Sequence, residues 1–121
     1  KGALMSRGTN EIGRLIAAMG GNWDTVYGLC HLGDYEATLF SEHSHNRAFG
    51  QSFVKGVKFD KLAEGCHTVK AICRLGKKYG VELPICEAVY QIMYEGQDAR
   101  SILKNLFDRS LKNKFVIRPA K

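Results

Sequence analysis

Apolar residues in this chain recur every three to four positions, and most of these runs end in glycine. Leu4, Met5, Ile12, Leu15, Ile16 and Met19 mark a helix over Ala3–Met19, stopped by Gly20-Gly21-Asn22. Val69, Ile72, Cys73 and Leu75 mark another over Cys66–Tyr79, stopped by Gly80. Pro84 suits the first position of the next helix, which carries Ile85, Val89, Ile92 and Met93 and closes at Gly96. Asp98 starts a further one, with Ile102, Leu103, Leu106 and Phe107 on one side. This is the 3.6-residue period of amphipathic helices with left-handed glycine stops. Shorter helical pieces are expected at Thr25–Tyr27 (capped by Asn22 or Asp24), Gly33–Leu39 and Asn46–Lys55, with a turn at Phe59–Ala63. Alternation of the strand kind is confined to Lys114–Ile117, and no Gly-x-Gly-x-x-Gly turn occurs. The expected fold is all-α, a multi-helix bundle of six to eight helices without a nucleotide-binding sheet of its own. Gly8 and Gly13 interrupt the first helix and point to close approach of another backbone there.

At 121 residues the chain is one domain with a single modest core, spanning 1–121. It opens at Lys1 without a methionine and inside a helical pattern, so it is expected to be a piece of something longer. The net charge of +6 suits anionic metabolites such as phosphates and dinucleotides. Its lysines are scattered rather than gathered on one helix face, which argues against nucleic acid as a partner. No apolar run approaches the ~20 residues of a transmembrane segment. Cys30, Cys66, Cys73 and Cys86 form no Cys-x-x-Cys pair, so a reducing, cytoplasmic setting is expected and a zinc ribbon is not. His43-Ser44-His45 lies in a polar loop and does not read as a metal site.

The stretch richest in chemistry runs from Leu32 to Gly50. Asp34 lies one helical turn before Thr38, and a loop holding Ser44, His45, Asn46 and Arg47 precedes an apolar helix. Donors and a cation at a helix entrance suit an anionic ligand, because free N–H groups and the helix dipole favour negative charge there. The plain alternative is a capped helix with a solvated loop.

Several anchors taken in order resemble one family: Lys1-Gly-Ala-Leu-Met-Ser-Arg-Gly8, Leu32-Gly-Asp34, Ser44-His-Asn-Arg47 with Phe49-Gly50, Ala63-Glu-Gly65, Gly80-Val-Glu-Leu-Pro84-Ile and Tyr94-Glu-Gly96. The chain resembles the C-terminal helical, substrate-binding domain of NAD(P)-dependent glycerol-3-phosphate dehydrogenase, a 6-phosphogluconate-dehydrogenase C-terminal-like bundle. The resemblance implies an N-terminal Rossmann domain that holds NAD or NADP, a small phosphorylated substrate, and a catalytic lysine upstream of this chain. It implies hydride exchange between the cofactor and dihydroxyacetone phosphate or glycerol 3-phosphate, serving phospholipid synthesis, with this chain inactive alone. A homodimer is compatible with it. So is self-association through an apolar face that the Rossmann half would cover.

Carried over by position, Asp34 falls beside the catalytic lysine, where its charge would fix the lysine and bias its proton equilibrium. The alternative for Asp34 is a helix-terminal carboxylate. Thr38 would meet a substrate oxygen or bond back to its own helix. Ser44, His45, Asn46 and Arg47 would take the substrate phosphate. His45 stands where the family has arginine, exchanging a permanent, forked cation for a ring that is largely neutral at pH 7. His45, Leu62 and Glu64 would contact the cofactor, Glu64 having a helix-entry cap as its other reading. A different class of reading is a non-catalytic helical binding or interaction module derived from the same fold.

Overall fold

The computed structural model describes residues 2–61 and 63–109. Lys1, Leu62 and the strand expected at Lys114–Ile117 lie outside the described residues. Six α-helices follow one another: α1 Gly2–Ala18, α2 Asp34–Leu39, α3 His45–Lys55, α4 Gly65–Tyr79, α5 Pro84–Tyr94 and α6 Ala99–Asp108. A 3-10 segment at Trp23–Tyr27 and a π-helical turn at Leu29–Gly33 join α1 to α2. No strand occurs among the described residues, so the fold is all-α as the periodicity requires.

α1 is the organising element. It packs against the 3-10 segment, α4 and α5; α4 lies along α5, and α5 along α6. The core between them holds Leu15, Trp23, Val26, Val69, Leu83, Ala88 and Leu106, with Val26 and Leu83 fully enclosed. Gly13 explains how α1 meets Trp23. A Cβ at that position would come within 2.6 Å of the indole Cε2, so only glycine lets the ring lie flat on the helix. The indole, not a second backbone, is therefore what the glycine admits. Gly8 likewise faces the Tyr35 ring.

Local chemistry sets the helix ends. Asn22, rather than Asp24, caps the 3-10 segment through its Oδ1, which accepts from the Asp24 N–H at 2.9 Å. Asp98 caps α6 by accepting from the Ser101 N–H at 2.9 Å. Gly56 and Gly80 end α3 and α4 at φ of 68° and 67°, where an L-residue would be strained. Val57 and Val81 then bond back to the Ser52 and Gly76 carbonyls, closing Schellman ends. Arg7 spans the molecule: its Nη1 donates to the Leu106 carbonyl, and its guanidinium lies over the Phe107 ring.

Three expectations need correction. The helix of Asp34 does not start at Gly33, because a π turn feeds into it from Leu29. No helical turn forms over the described part of Phe59–Ala63; the chain there is irregular, and Phe59 packs edge-on to Phe49 at 5.7 Å between ring centres. Met19, Val89, Leu103 and Phe107 keep more than a third of their surface exposed, so the predicted apolar stripes are only partly covered. The core is narrower than periodicity implies, because one row of side chains on each helix, Leu15, Val69, Ala88 and Leu106, fills it. No helix of the described residues is long and apolar enough to cross a membrane.

Candidate functional site

A cleft of about 290 Å³ opens between α1, the π turn, α2 and the start of α5. Asp34 and Thr38 line it together, one turn apart on α2. The Asp34 N–H already donates to the Leu29 and His31 carbonyls, the former an i−5 bond of the π turn. Asp34 thus stands in the first turn of α2, as the helix-terminal reading has it, but without an open backbone end for its carboxylate to cap. Its carboxylate has no hydrogen-bond or ion-pair partner among the described residues and is exposed to the cleft. Thr38 does bond back to its own helix: Oγ1 donates to the Asp34 carbonyl at 2.9 Å. That uses the hydroxyl proton and leaves the oxygen as an acceptor.

Four cleft residues escaped the sequence reading. Glu11 is 3% exposed, in the middle of α1. Its carboxylate accepts the N–H of Ile85 and, at 3.4 Å, that of Cys86, in the first turn of α5. Burial raises its pKa above the usual carboxylate value, while these two N–H groups and the charge of Arg14 pull it back. Cys86 lies against the same carboxylate, and burial together with that charge pushes its thiol up to about 12. The thiol therefore stays protonated and is a poor nucleophile. Tyr35 is half-buried, and its phenol is also raised, first by burial and then by the charges of Cys86 and Glu11. His31 holds Nδ1 toward the Val26 carbonyl at 3.2 Å, which places its proton on that nitrogen, and meets Tyr35 edge-on at 6.0 Å. One signal pointed to Glu11. Leu4, Gly8, Glu11 and Leu15 share a helix face, and a carboxylate in an apolar stripe must find donors.

The residues expected in a loop gather separately, and the loop is a correction: Ser44 caps α3, and His45, Asn46 and Arg47 form its first turn. Ser44 is the N-cap of α3, its Oγ accepting the Arg47 N–H at 3.3 Å. The capped-helix reading is therefore correct as far as it goes, and it leaves the Ser44 hydroxyl proton free to donate outward. Arg47 Nη1 donates to the Ser41 carbonyl at 3.3 Å and the Phe40 carbonyl at 3.5 Å, tying α3 to the end of α2. Asn46 Oδ1 accepts the Gly65 N–H at 3.0 Å, so a residue of α3 caps α4 from outside. A Cβ at position 65 would meet that same Oδ1 at 3.0 Å, so a larger residue there would push on the Asn46 side chain. Glu64 occupies the cap position by backbone, but its side chain makes no capping bond and stays exposed. Its helix-cap reading is thus overturned, and Asn46 holds that role. His45, first in α3, is exposed.

The structure thereby brings the Ser44–Arg47 segment beside Glu64 through the bond between Asn46 and Gly65, 19 residues apart. It does not bring that segment into the cleft of Asp34 and Thr38. A second hollow of about 300 Å³, between α4 and α5, is lined by Lys70, Arg74, Lys77 and Glu87 and holds none of the residues expected from sequence.

Residues 1–104 match the model of the family described as NAD-dependent glycerol-3-phosphate dehydrogenase C-terminus. The chain belongs to this family. Among curated relatives, the glycerol-3-phosphate dehydrogenase (NAD(P)+) of Thermus thermophilus is 45% identical over 117 residues, which cover 93% of this chain and 36% of the relative. That of Francisella tularensis subsp. novicida is 40% identical over 118 residues, 92% and 36% of the two chains. That of Photobacterium profundum is 38% identical over 117 residues, 91% and 35%. The glycerol-3-phosphate dehydrogenase C-terminal family member described here thus spans 35–36% of the length of these relatives.

Proposed function

We propose that this chain is the substrate-side domain of a dehydrogenase that interconverts dihydroxyacetone phosphate and sn-glycerol 3-phosphate with NAD(P)H, feeding glycerophospholipid synthesis in the cytoplasm. The observation that carries the reading is Asp34: an unpartnered carboxylate facing a cleft, in a chain of this family. A carboxylate left without a partner suits the lysine that an N-terminal Rossmann domain would bring to it. Opposite charges within ~4–6 Å hold each other's charged forms, so Asp34 would orient the lysine and tune its proton transfer to the substrate oxygen. Thr38 offers its free oxygen lone pairs to the substrate hydroxyl.

The phosphate falls to the N-terminal end of α3. Asn46, with Oδ1 engaged by Gly65, is left with two amide donors facing away from that bond, and Ser44 keeps its hydroxyl proton. Arg47 contributes positive charge and the guanidinium donors its two carbonyls do not use. His45 at the start of α3 offers a ring N–H to the same anion. The nicotinamide supplies the hydride when bound. Glu64 suits a ribose hydroxyl, because its carboxylate is exposed and makes no capping bond. His45 and Leu62 complete the expected cofactor side. Hydride transfer needs both partners held in reacting geometry, so the chain alone is expected to be inactive.

The test is oxidation of NADH and NADPH by the intact parent with dihydroxyacetone phosphate, alongside Asp34→Asn. A fall in kcat of about a hundredfold or more is expected. Turnover unchanged in the variant would remove Asp34 from the chemistry. A folded parent without turnover would favour the binding-module alternative.

A further inference from the structure

Four walls form the cleft: α1 with Gly8 and Ile12, the π turn with Cys30 and His31, α2 with Asp34, Tyr35 and Thr38, and the start of α5 with Ile85 and Cys86. Within α5 itself Glu87 Oε1 accepts the Leu83 N–H at 3.5 Å, but no N-cap side chain serves the N–H groups of the first turn. Its N-cap residue is Leu83, which has no side-chain acceptor, and Pro84 occupies the first position. The N–H groups of Ile85 and Cys86 are therefore orphan donors at the cleft edge. Glu11, 74 residues earlier in sequence, supplies the acceptor for both. It is the cleft-lining side chain whose hydrogen bonds reach from one wall to another.

From this we infer that Glu11 is a positioning residue of the proposed reaction: it sets the place of the α5 wall, Ile85 and Cys86, relative to Asp34 and Thr38. The inference rests on the dehydrogenase reading above. Glu11 does not serve as a second proton-transfer group, because both N–H groups and the positive end of α5 occupy its charge. The negative charge left open to the cleft is that of Asp34. Two free carboxylates would oppose an anionic phosphate ester; one, with the other neutralised by a helix terminus, leaves the cleft suited to a cationic lysine and the uncharged end of the substrate. The tie is also rigid. A side chain 3% exposed, on an α1 that is itself packed against α4 and α5, has little freedom to release its donors.

The experiment compares Glu11→Ala and Glu11→Gln in the intact parent. Glutamine keeps one acceptor oxygen and the same shape; alanine keeps neither. In Glu11→Ala the KM for dihydroxyacetone phosphate should rise tenfold or more, with kcat within threefold and the KM for the nicotinamide unchanged. Glu11→Gln should recover the substrate KM to within threefold of wild type. Hydrogen exchange of a peptide containing Ile85 and Cys86 should accelerate in the alanine variant and return most of the way in glutamine. A lower kcat with unchanged KM would mean fewer folded molecules and overturn positioning. Unchanged exchange at Ile85 and Cys86 would overturn the tie itself. If alanine prevents folding, Glu11→Asp, one methylene short, takes its place with the same KM and exchange criteria. Wild-type protein without turnover would sink the dehydrogenase reading alone. Exchange, with the dissociation constant of dihydroxyacetone phosphate in the same variants, would then decide Glu11.

Discussion

Helices α1, α4 and α5 and the arm that carries α3 are built on different principles. The first group encloses Val26 and Leu83 completely and buries Leu15, Trp23, Val69 and Ala88. The arm buries no residue of α3; Val54 is 76% exposed, and the aromatic contacts of Phe49 with Phe53 and Phe59 stand in for a core. What holds the arm in place is polar: Asn46 on α4, and Arg47 on the end of α2. Packing defines the α1 and α5 walls of the cleft of Asp34, although α2 itself buries no residue, whereas a few hydrogen bonds define the first turn of α3 from Ser44 to Arg47. A region held by few bonds opens locally at low cost, and binding loops are drawn from such regions.

Substitutions can separate the two. Leu83→Ala should have the largest effect, a loss of about 2–5 kcal/mol, since it empties a fully enclosed site against Gly76. Denaturant unfolding measures it, and a loss under 1 kcal/mol would mean the site collapses around the hole. Asn46→Ala should cost about 1 kcal/mol, the worth of a helix cap, with the change confined to one region. Hydrogen exchange should quicken in α3 and the first turn of α4 and stay fixed in α1 and α5. Uniform acceleration would show that the arm and the core unfold as one.

A smaller effect concerns Glu11 and pH. Its folded pKa is raised above 4.5 by burial, so its stabilising contribution is full below the unfolded value and declines as pH rises through the folded one. The stability of Glu11→Gln relative to wild type should therefore improve between pH 4 and pH 7, as read from urea unfolding at each pH. A flat difference would mean that the two α5 N–H groups fully offset burial. Thr38→Val should be smallest of all, within about 0.5 kcal/mol in stability, because an exposed back-bond to the helix is all it removes. A marked loss of turnover in the parent at unchanged stability would confirm its hydroxyl as a substrate contact.

The helices were legible because period and punctuation agree. Pro84, Gly56, Gly80 and Asp98 each act within one turn of chain, and each stands where expected. The π turn before Asp34 was not legible, since Leu-Cys-His-Leu-Gly carries no local signal that separates five-residue from four-residue bonding. Nor were the caps supplied from afar. Asn46 serves Gly65, and Glu11 serves Ile85 and Cys86, by contacts that only the tertiary fold creates. The four expected loop residues do stand together, but a resemblance by position says nothing of which atoms are already engaged. The Ser44 oxygen, the Asn46 oxygen and one Arg47 nitrogen turn out to be committed to the protein itself.

The long reach of α1 has a consequence for biosynthesis. Glu11 waits for donors 74 residues later in the chain, and Arg7 for a carbonyl 99 residues later. At ~5–20 residues per second, the ribosome takes roughly 4–15 s to deliver Ile85 after Glu11. Until then a carboxylate sits in the apolar face of α1 without the two N–H groups that donate to it in the finished fold. That helix cannot settle into its final surroundings while the nascent chain is short. Of the described helices α1 comes first in the chain, yet its Glu11 and Arg7 find their partners only when α5 and α6 have been made.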